Sequence, residues 1–273
     1  KTIDGRQHVA RPEAIPGIPD INDNGNIAFK GVFADGEGIF LDDRLIVETG
    51  DTIDGRMLTS VVVGATPFKP SLNNNGDIAF VGAFEGGLGV FTQDGLIVAT
   101  GDIIDGREVT PVIGQASINN RGDVVFKALL DGAIDGGLFV NQALLVAAGD
   151  TIGGKTLSRV IVSGDSPALN DSGVVAFRAF FPNEDSPGKL RRGIFTQDHL
   201  VAAEGDIIDG QRLVFMESPV LNNNGDILFQ SNLFDGSELT GVIVLAELIP
   251  EPASGGLAVV AAALLLLYRG KQA

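Results

Sequence analysis

The chain of 273 residues contains no cysteine and no tryptophan, one tyrosine and two histidines. The absence of cysteine excludes disulfide bonds, thiolate zinc sites, iron–sulfur clusters and cysteine nucleophiles. Positive charge is also scarce, because 19 Lys and Arg stand against 35 Asp and Glu, giving a formal net charge of −16. So acidic a protein cannot replace the counterions along a phosphate backbone, and we expect no nucleic-acid partner. The composition is poor in catalytic side chains and suits an acidic, self-repelling surface.

Glycine (37 residues) and phenylalanine (16 residues) are abundant, and both belong to a tandem repeat. The motif Asn-x-x-Gly-x-x-x-Phe occurs five times, with glycines 51, 46, 51 and 52 residues apart. Its residues are Asn22, Gly25, Phe29, Asn73, Gly76, Phe80, Asn119, Gly122, Phe126, Asn170, Gly173, Phe177, Asn222, Gly225 and Phe229. Two further blocks, typified by 101–107 and 89–99, follow the same period. These blocks predict repeats at roughly 1–48, 49–99, 100–147, 148–203 and 204–248.

Each repeat has the pattern of four short strands rich in Val, Ile and Phe. In the second repeat the four apolar runs are 58–63, 77–84, 89–92 and 96–100. The dipeptides Asn75–Gly76 and Asp94–Gly95 favour the left-handed torsions of tight hairpin turns. Four antiparallel strands in about 50 residues are typical of a propeller blade. We therefore predict an all-β, β-propeller-like array of about five blades in an incomplete ring; the alternative is a parallel β-solenoid with two coils per repeat.

Nine of the phenylalanines occupy two equivalent positions, on the second and third predicted strands. The third-strand residues are Phe40, Phe91, Phe139 and Phe195. In the fifth repeat we assign the third-strand position to Ile243. Burying one phenylalanine contributes about 1.5–3 kcal/mol, so we expect these rows to form the core between blades. The alternative is an exposed platform for carbohydrate stacking, which more commonly uses Trp or Tyr.

The two ends of the repeat array lack the strands that would complete it. The chain starts inside the second block, and the fifth repeat passes from a predicted third strand at 241–248 to Pro250 without a fourth. A propeller removes its open edges by joining its first and last strands in one sheet. We therefore expect the chain to be the C-terminal part of a longer protein, with a signal peptide and further blades upstream.

The segment 249–273 differs from the repeats in composition. It contains Pro-Glu-Pro at 250–252, an uncharged stretch at 253–268, and a basic end with Arg269 and Lys271. Sixteen helical residues extend about 24 Å, slightly less than a hydrocarbon core of about 30 Å. We predict a transmembrane helix at about 253–268, with the basic end on the cytoplasmic side. A buried core helix is the alternative.

The order of Pro250, Glu251 and Pro252, a hydrophobic helix and a basic end at Arg269 resembles the PEP-CTERM sorting signal of Gram-negative bacteria. The repeats resemble the tandem NxxGxxxAF repeats of proteins that carry this signal. The resemblance implies export, anchoring in the inner membrane and processing by an exosortase-type enzyme, followed by release to the cell surface or medium. It also implies an association with biofilm matrix, in which exopolysaccharide or envelope proteins are partners. The chain itself shows no signal peptide.

Carboxylates recur in the repeated Ile-Asp-Gly block. Asp4, Asp54, Asp105 and Asp209 are equivalent, and Gly153 replaces the aspartate in the fourth copy. A second series precedes them at Asp51, Asp102, Asp150 and Asp206. A catalytic acid and base need different pKa values, so we interpret repeated aspartates as turn formers. The alternative is a ring of Asp54, Asp105 and Asp209 that binds Ca²⁺, although Gly153 would interrupt it.

Neither His8 nor His199 has a second histidine at metal-binding spacing, so we predict no zinc site and no cofactor. We expect a non-enzymatic, envelope- or matrix-associated protein that presents an acidic β surface for binding. The alternative is a lyase or hydrolase acting on extracellular polysaccharide. Such an enzyme needs unrepeated carboxylates, for which Glu184, Asp185 and Glu217 are the candidates.

Overall fold

The computed structural model describes residues 2–3, 6–7, 18–34, 36–61, 69–112, 115–160 and 166–246. These residues form strands and turns, and no helix occurs among them. The strand pairs of known register are all antiparallel. The predicted all-β antiparallel class is therefore confirmed, and the parallel solenoid is wrong. Over the same ranges no helix is long and apolar enough to cross a membrane; the span predicted at 253–268 lies outside them.

The chain divides into two compact units, Lys1–Leu145 and Val146–Ala273. The first unit contains a hairpin of β1 (Thr2–Ile3) and β2 (Arg6–Gln7). Its first sheet is formed by β3 (Asp20–Ile21), β4 (Ile27–Phe33), β5 (Gly36–Leu41) and β6 (Arg44–Glu48). Its second sheet contains β7 (Thr52–Ile53), β8 (Arg56–Val61), β9 (Ser71–Leu72), β10 (Ile78–Phe84), β11 (Gly87–Thr92) and β12 (Leu96–Ala99). The third sheet contains β13 (Ile103–Ile104), β14 (Arg107–Val112), β15 (Ser117–Ile118), β16 (Val124–Leu130), β17 (Ala133–Val140) and β18 (Ala143–Ala147), and the unit boundary falls within β18.

The second unit contains a hairpin and two sheets. The hairpin is formed by β19 (Thr151–Ile152) and β20 (Lys155–Thr156). The fourth sheet is formed by β21 (Ala168–Leu169), β22 (Val175–Pro182), β23 (Leu190–Thr196) and β24 (Leu200–Ala203). The fifth sheet contains β25 (Ile207–Ile208), β26 (Gln211–Val214), β27 (Val220–Leu221), β28 (Ile227–Phe234) and β29 (Leu239–Ala246).

The strands of a repeat follow one another across its sheet, as the second sheet illustrates. The long second strand β10 pairs with β11 on one side, and β11 pairs with β12. On its other side β10 pairs with both β8 and β9, so two short segments share the position of the predicted first strand. The order of four strands is as predicted, and both β8 and β9 occupy the place of the predicted first strand beside β10.

The left-handed residues lie partly elsewhere than predicted. Gly76 has a φ of +89°, but Asn75, Asp94 and Gly95 are not among the residues with positive φ. The connection from β11 to β12 is made instead with a register shift after Val90, so it needs no pair of left-handed residues. The two-residue turns with two left-handed residues join β7 to β8, β13 to β14, β16 to β17, β19 to β20 and β25 to β26.

Phenylalanine rows pack between sheets. The motif phenylalanine of the second strand stacks on that of the third in four sheets, with ring centroids 5.4, 5.6, 5.3 and 5.9 Å apart. In the second sheet Phe80 and Phe91 pack with Ala28 and Ile39 of the first sheet. The opposite face of the second sheet packs on the third, where Val81 shares a core with Phe126. Within a unit, consecutive sheets therefore stack face to face, each with a phenylalanine face and an aliphatic face.

The fifth sheet corrects one assignment made from the sequence. Phe229 pairs with Val244, which is buried, while Ile243 pairs with Gln230 on the opposite face. Val244 is therefore the equivalent of the third-strand phenylalanine, and the assignment of Ile243 is wrong. A shift of one residue moves every side chain of a strand to the other face.

Candidate functional site

The aspartates of the repeated Ile-Asp-Gly block lie at the first position of a two-residue hairpin turn. Their φ values are +46° for Asp54, +51° for Asp105 and +50° for Asp209, and Gly153 in the fourth copy has +55°. A left-handed glycine follows each of them, which gives the torsions of a type I′ turn and selects Asp, Asn or Gly. Across the described ranges, no group of three or more His, Cys, Asp or Glu is arranged to hold a metal ion.

Asp54 attaches its turn to the fourth strand of the second sheet. Its Oδ2 accepts a hydrogen bond from the Leu96 N–H at 2.7 Å. In the fourth sheet Gly153 lies against Leu200, the equivalent of Leu96, and a Cβ on Gly153 would lie 2.7 Å from the Leu200 nitrogen. The turn therefore contacts the fourth strand in both repeats, through the Asp54 carboxylate in the second and through the glycine backbone at Gly153 in the fourth.

The second aspartate series closes the turn that leads from one repeat to the next. A side-chain oxygen of each residue accepts a hydrogen bond at 2.7–2.8 Å from the N–H three residues earlier. The members are Asp51, Asp102, Asp150 and Asp206. In the first of these turns the Asp51 carbonyl also accepts from the Leu58 N–H at 2.8 Å. These carboxylates are therefore occupied by backbone donors.

The five Asn-x-x-Gly loops are each closed by their first side chain. In the second repeat Asn73 Oδ1 accepts hydrogen bonds from the N–H groups of Asn75 (3.0 Å) and Asp77 (2.8 Å). The other four loops contain the same two bonds. This is an Asx turn, in which a short polar side chain replaces a backbone acceptor.

The same asparagines join one loop to the next, in what we call the asparagine ladder. Asn22 Nδ2 donates to the Asn73 carbonyl at 2.9 Å, and Asn73 Nδ2 donates to the Asn119 carbonyl at 3.0 Å. In the second unit Asn170 Nδ2 donates to the Asn222 carbonyl at 3.2 Å. The sequence motif indicated a turn at each of these sites but gave no sign of bonds between residues 46 to 52 positions apart.

A cation follows the motif phenylalanine in three repeats and is largely buried. These residues are Lys30, Lys127 and Arg178. Lys30 Nζ lies 2.8 Å from Glu37 Oε2, and the other oxygen of Glu37 accepts a hydrogen bond from the Val61 N–H of the next sheet at 2.9 Å. Sequence reasoning missed these cations, although the recurring Phe-Lys and Phe-Arg pairs are a visible signal.

The three carboxylates proposed for an enzyme each pair with a different cation. Glu184 lies 2.9 Å from Lys155. Asp185 lies 2.6 Å from Arg191. Glu217 lies 3.2 Å from Arg178. Glu184 and Asp185 are adjacent in the connection from β22 to β23, whereas Glu217 precedes β27 of the fifth sheet. Of the histidines, His199 donates its N–H to Thr196 Oγ1 at 3.0 Å in a turn; His8 lies outside the described residues.

Hydrogen bonds lower the pKa of several aspartates that hold turns. The Ile27 N–H and then the Asn26 side chain lower the pKa of Asp42. The Asn119 side chain is the main cause that lowers the pKa of Asp123. The pKa of Asp131 is lowered chiefly by Arg107, and that of Asp235 by backbone N–H groups. Lowered pKa values keep these groups ionised, whereas a general acid has to retain its proton near the working pH.

A cavity of about 470 Å³ opens on one face of the fifth sheet. It is lined by Phe215, Glu217, Gln230, Ser231, Asn232, Gly241, Val242 and Ile243. Phe215 has a φ of +54°, an unusual conformation for a bulky side chain, and it is 53% exposed. Sequence reasoning missed this cavity. Its signal is the short spacing of eight residues from Leu213 to Leu221, where the second repeat has fourteen from Leu58 to Leu72.

The fold and these contacts define a class, namely antiparallel β-repeat proteins whose recurring polar residues hold loops and turns. Over residues 42–217, more than half of the chain, the sequence matches the model of a family of unknown function, DUF7453. The chain belongs to this family. No curated protein matches it. The sorting residues Pro250, Glu251, Pro252 and Arg269 lie outside the described residues.

Proposed function

We propose that this chain is an exported, non-enzymatic repeat protein of the cell envelope or extracellular matrix, which presents an acidic surface for binding. The observation that carries the proposal is the use of the repeated polar residues. The motif asparagines and the Asp51 series are occupied in loops and turns. This use favours a display scaffold, because catalysis requires a distinct acid and base with separated pKa values.

The finer architecture belongs to the same proposal, in which the sheets are blades of a β-propeller-like array of about five. Antiparallel sheets that stack face to face in chain order within each unit support it. The repeat period of 46 to 52 residues, close to that of propeller blades, supports it as well. In such an array the loops at the ends of the blades are the surfaces available to exopolysaccharide or envelope proteins.

In this proposal the C-terminal tail determines where the protein is localised. Pro250, Glu251 and Pro252 precede an uncharged stretch and a basic end at Arg269, which is the order of a PEP-CTERM-like signal. We propose anchoring in the inner membrane, processing by an exosortase-type enzyme, and delivery to the cell surface or medium. The anchor and the processing enzyme act on the tail, and the repeats act afterwards.

Fractionation of cells of the native host tests the proposed localisation. We expect the mature protein in the envelope or medium, with a C-terminus that mass spectrometry places before the apolar stretch 253–268. A Pro250→Ala, Pro252→Ala double variant should keep the stretch and remain in the membrane fraction. Intact protein in the cytoplasm would contradict export. Release of sugar fragments from a matrix polysaccharide by the purified chain, lost in Glu217→Gln, would contradict a non-enzymatic role.

A further inference from the structure

The end face of this chain, as we call it, is the side of the fifth sheet that carries the cavity. Its central rows are the cross-strand pairs Leu228–Leu245, Gln230–Ile243, Asn232–Gly241 and Phe234–Leu239. Val220, Phe215, Leu228, Phe234 and Leu239 are exposed there. We propose that the end face binds the end face of a second copy of this chain across a two-fold axis, an inference independent of export and sorting.

The same face is an interface in the second and fourth sheets. In the second sheet Val81, the equivalent of Gln230, is buried against the third sheet. In the fourth sheet Ile194, the equivalent of Ile243, is buried against the fifth. The end face is the next face in this series. Its side chains stand at the positions that are buried between sheets in the second and fourth sheets. An exposed apolar patch of this kind marks an interaction surface.

Charge favours a second copy as the partner. The chain carries a net charge of −16, so two copies repel each other over most of their surface. Among the described residues the end face is an exception, since its charges are one arginine, Arg212, and one glutamate, Glu217, whose Oε2 also lies 3.2 Å from Arg178 of the fourth sheet. Arg212 pairs across strands with Phe234, and the Glu217 N–H donates to the Gln230 carbonyl at 2.9 Å. The two charges therefore lie at rows 234 and 230, with Asn232 in the row between them.

This arrangement is self-complementary. A two-fold axis that runs across the strands through the Asn232–Gly241 row exchanges the rows on either side of it. Arg212 of one copy then faces the exposed Glu217 carboxylate of the other, which would be shared between Arg212 and its own Arg178. The Asn232 carboxamide, a donor and an acceptor, faces the same group of the other copy. Gly241 has no side chain, which allows close approach at the axis. The exposed ring of Phe215 and the cavity beside it supply a projection and a hollow on each copy.

Disulfide trapping tests the proposed axis in the full chain. The protein has no cysteine, so Asn232→Cys carries a single thiol. Two thiols on a two-fold axis meet the short Cα separation that a disulfide requires. We expect oxidised glutathione to convert Asn232→Cys to a covalent dimer at least about fivefold more completely than Ile103→Cys. Ile103 is a matched control because it is 64% exposed and lies on β13 of the third sheet, not on the fifth sheet.

Charge reversal tests the register. We expect Arg212→Glu to weaken dimerisation in sedimentation equilibrium by at least about tenfold, and Arg212→Lys, which keeps the positive charge, to weaken it by less than about threefold. Asn232→Cys leaves the charges unchanged, so trapping tests the dimer even if a charge variant fails to fold. Equal trapping of the two cysteine variants would overturn the proposal. So would a monomeric Asn232→Cys variant whose thiol is shielded from maleimide, because the face would then be covered by another segment.

Discussion

Gly153 and His199 mark the contact in which the fourth repeat departs from the second. In the second sheet Asp54 carries a side chain and the facing residue is Gly95, where a Cβ would lie 3.1 Å from the carboxylate. In the fourth sheet the roles are exchanged, because Gly153 lies at the turn and His199 stands at the position of Gly95. A Cβ on Gly153 would lie 2.7 Å from both the nitrogen and the Cβ of Leu200, so close packing leaves no room for a side chain at the turn. The glycine that interrupts the aspartate series thus has a steric cause.

We expect Gly153→Asp to lower the free energy of unfolding by about 1–3 kcal/mol, because its Cβ would press on Leu200. Adding His199→Gly should recover at least about half of this loss, since the two sites couple. Urea unfolding of the single and double variants measures both values. Gly154→Asn is the control, because a Cβ there meets no atom within 4 Å and asparagine accepts a positive φ. A Gly153→Asp variant as stable as this control would contradict the steric account.

At the scale of the loop, the asparagine ladder ties successive motifs together within each unit. Asn73 is 3% exposed, and its side chain makes four hydrogen bonds, three within its own loop and one to the loop of Asn119. Its Oδ1 accepts hydrogen bonds from two N–H groups of its own loop, and its Nδ2 donates to the Asp77 carboxylate and the Asn119 carbonyl. Removing the side chain leaves buried donors and acceptors without partners, and each such loss costs free energy.

We expect Asn73→Ala to lower the free energy of unfolding by about 2–4 kcal/mol. Asn73→Asp should lower the free energy of unfolding at neutral pH at least as much as Asn73→Ala, because it keeps the acceptor but sets a carboxylate against the Asp77 carboxylate and the Asn119 carbonyl. Thermal and denaturant unfolding measure both changes. Asn224→Ala is the control, since Asn224 is exposed at the last loop, and we expect a change within about 0.5 kcal/mol. Equal effects at the two sites would show that the ladder adds no stability.

The strands were predictable from sequence because their pattern is local. Alternating apolar residues near Phe80 and Phe91 set the second and third strands, and the motif glycines set the turns. The bond from Asn73 to Asn119 was not predictable, since no local pattern encodes a contact over 46 residues. Ile243 was misassigned because a repeat alignment can slip by one residue where a connection changes length. The cavity was not predicted because it depends on the shortened segment from Leu213 to Leu221, whose effect on the sheet no local pattern encodes.

For the whole molecule, acidity has two opposing consequences. The net charge of −16 implies self-repulsion that weakens as the pH falls towards the pI of about 4.4. Four aspartates have a lowered pKa in the folded state, so the folded chain binds fewer protons than the unfolded chain near their titration. Their stabilisation is complete above the unfolded pKa of about 3.9 and is lost as the pH falls through the lower folded pKa.

We expect the free energy of unfolding to fall steeply below a pH of about 4. Asp123→Asn should fall less steeply there, because it removes one carboxyl that the Asn119 side chain holds ionised. Urea unfolding between about pH 3 and 7 measures the slopes. Asp43→Asn, which removes an exposed carboxyl in a turn, is the control. Parallel slopes for both variants would contradict a contribution from Asp123.

The asparagine ladder and the aspartate turns use the same donors and acceptors at successive joints. A tandem duplication of about fifty codons would therefore add a sheet without requiring any new kind of joint. Loss of one repeat would bring together two sheets whose loops and turns carry the same donors and acceptors. We therefore expect the fold to tolerate the gain or loss of whole repeats, which would change the number of sheets before it changed the chemistry of any one loop.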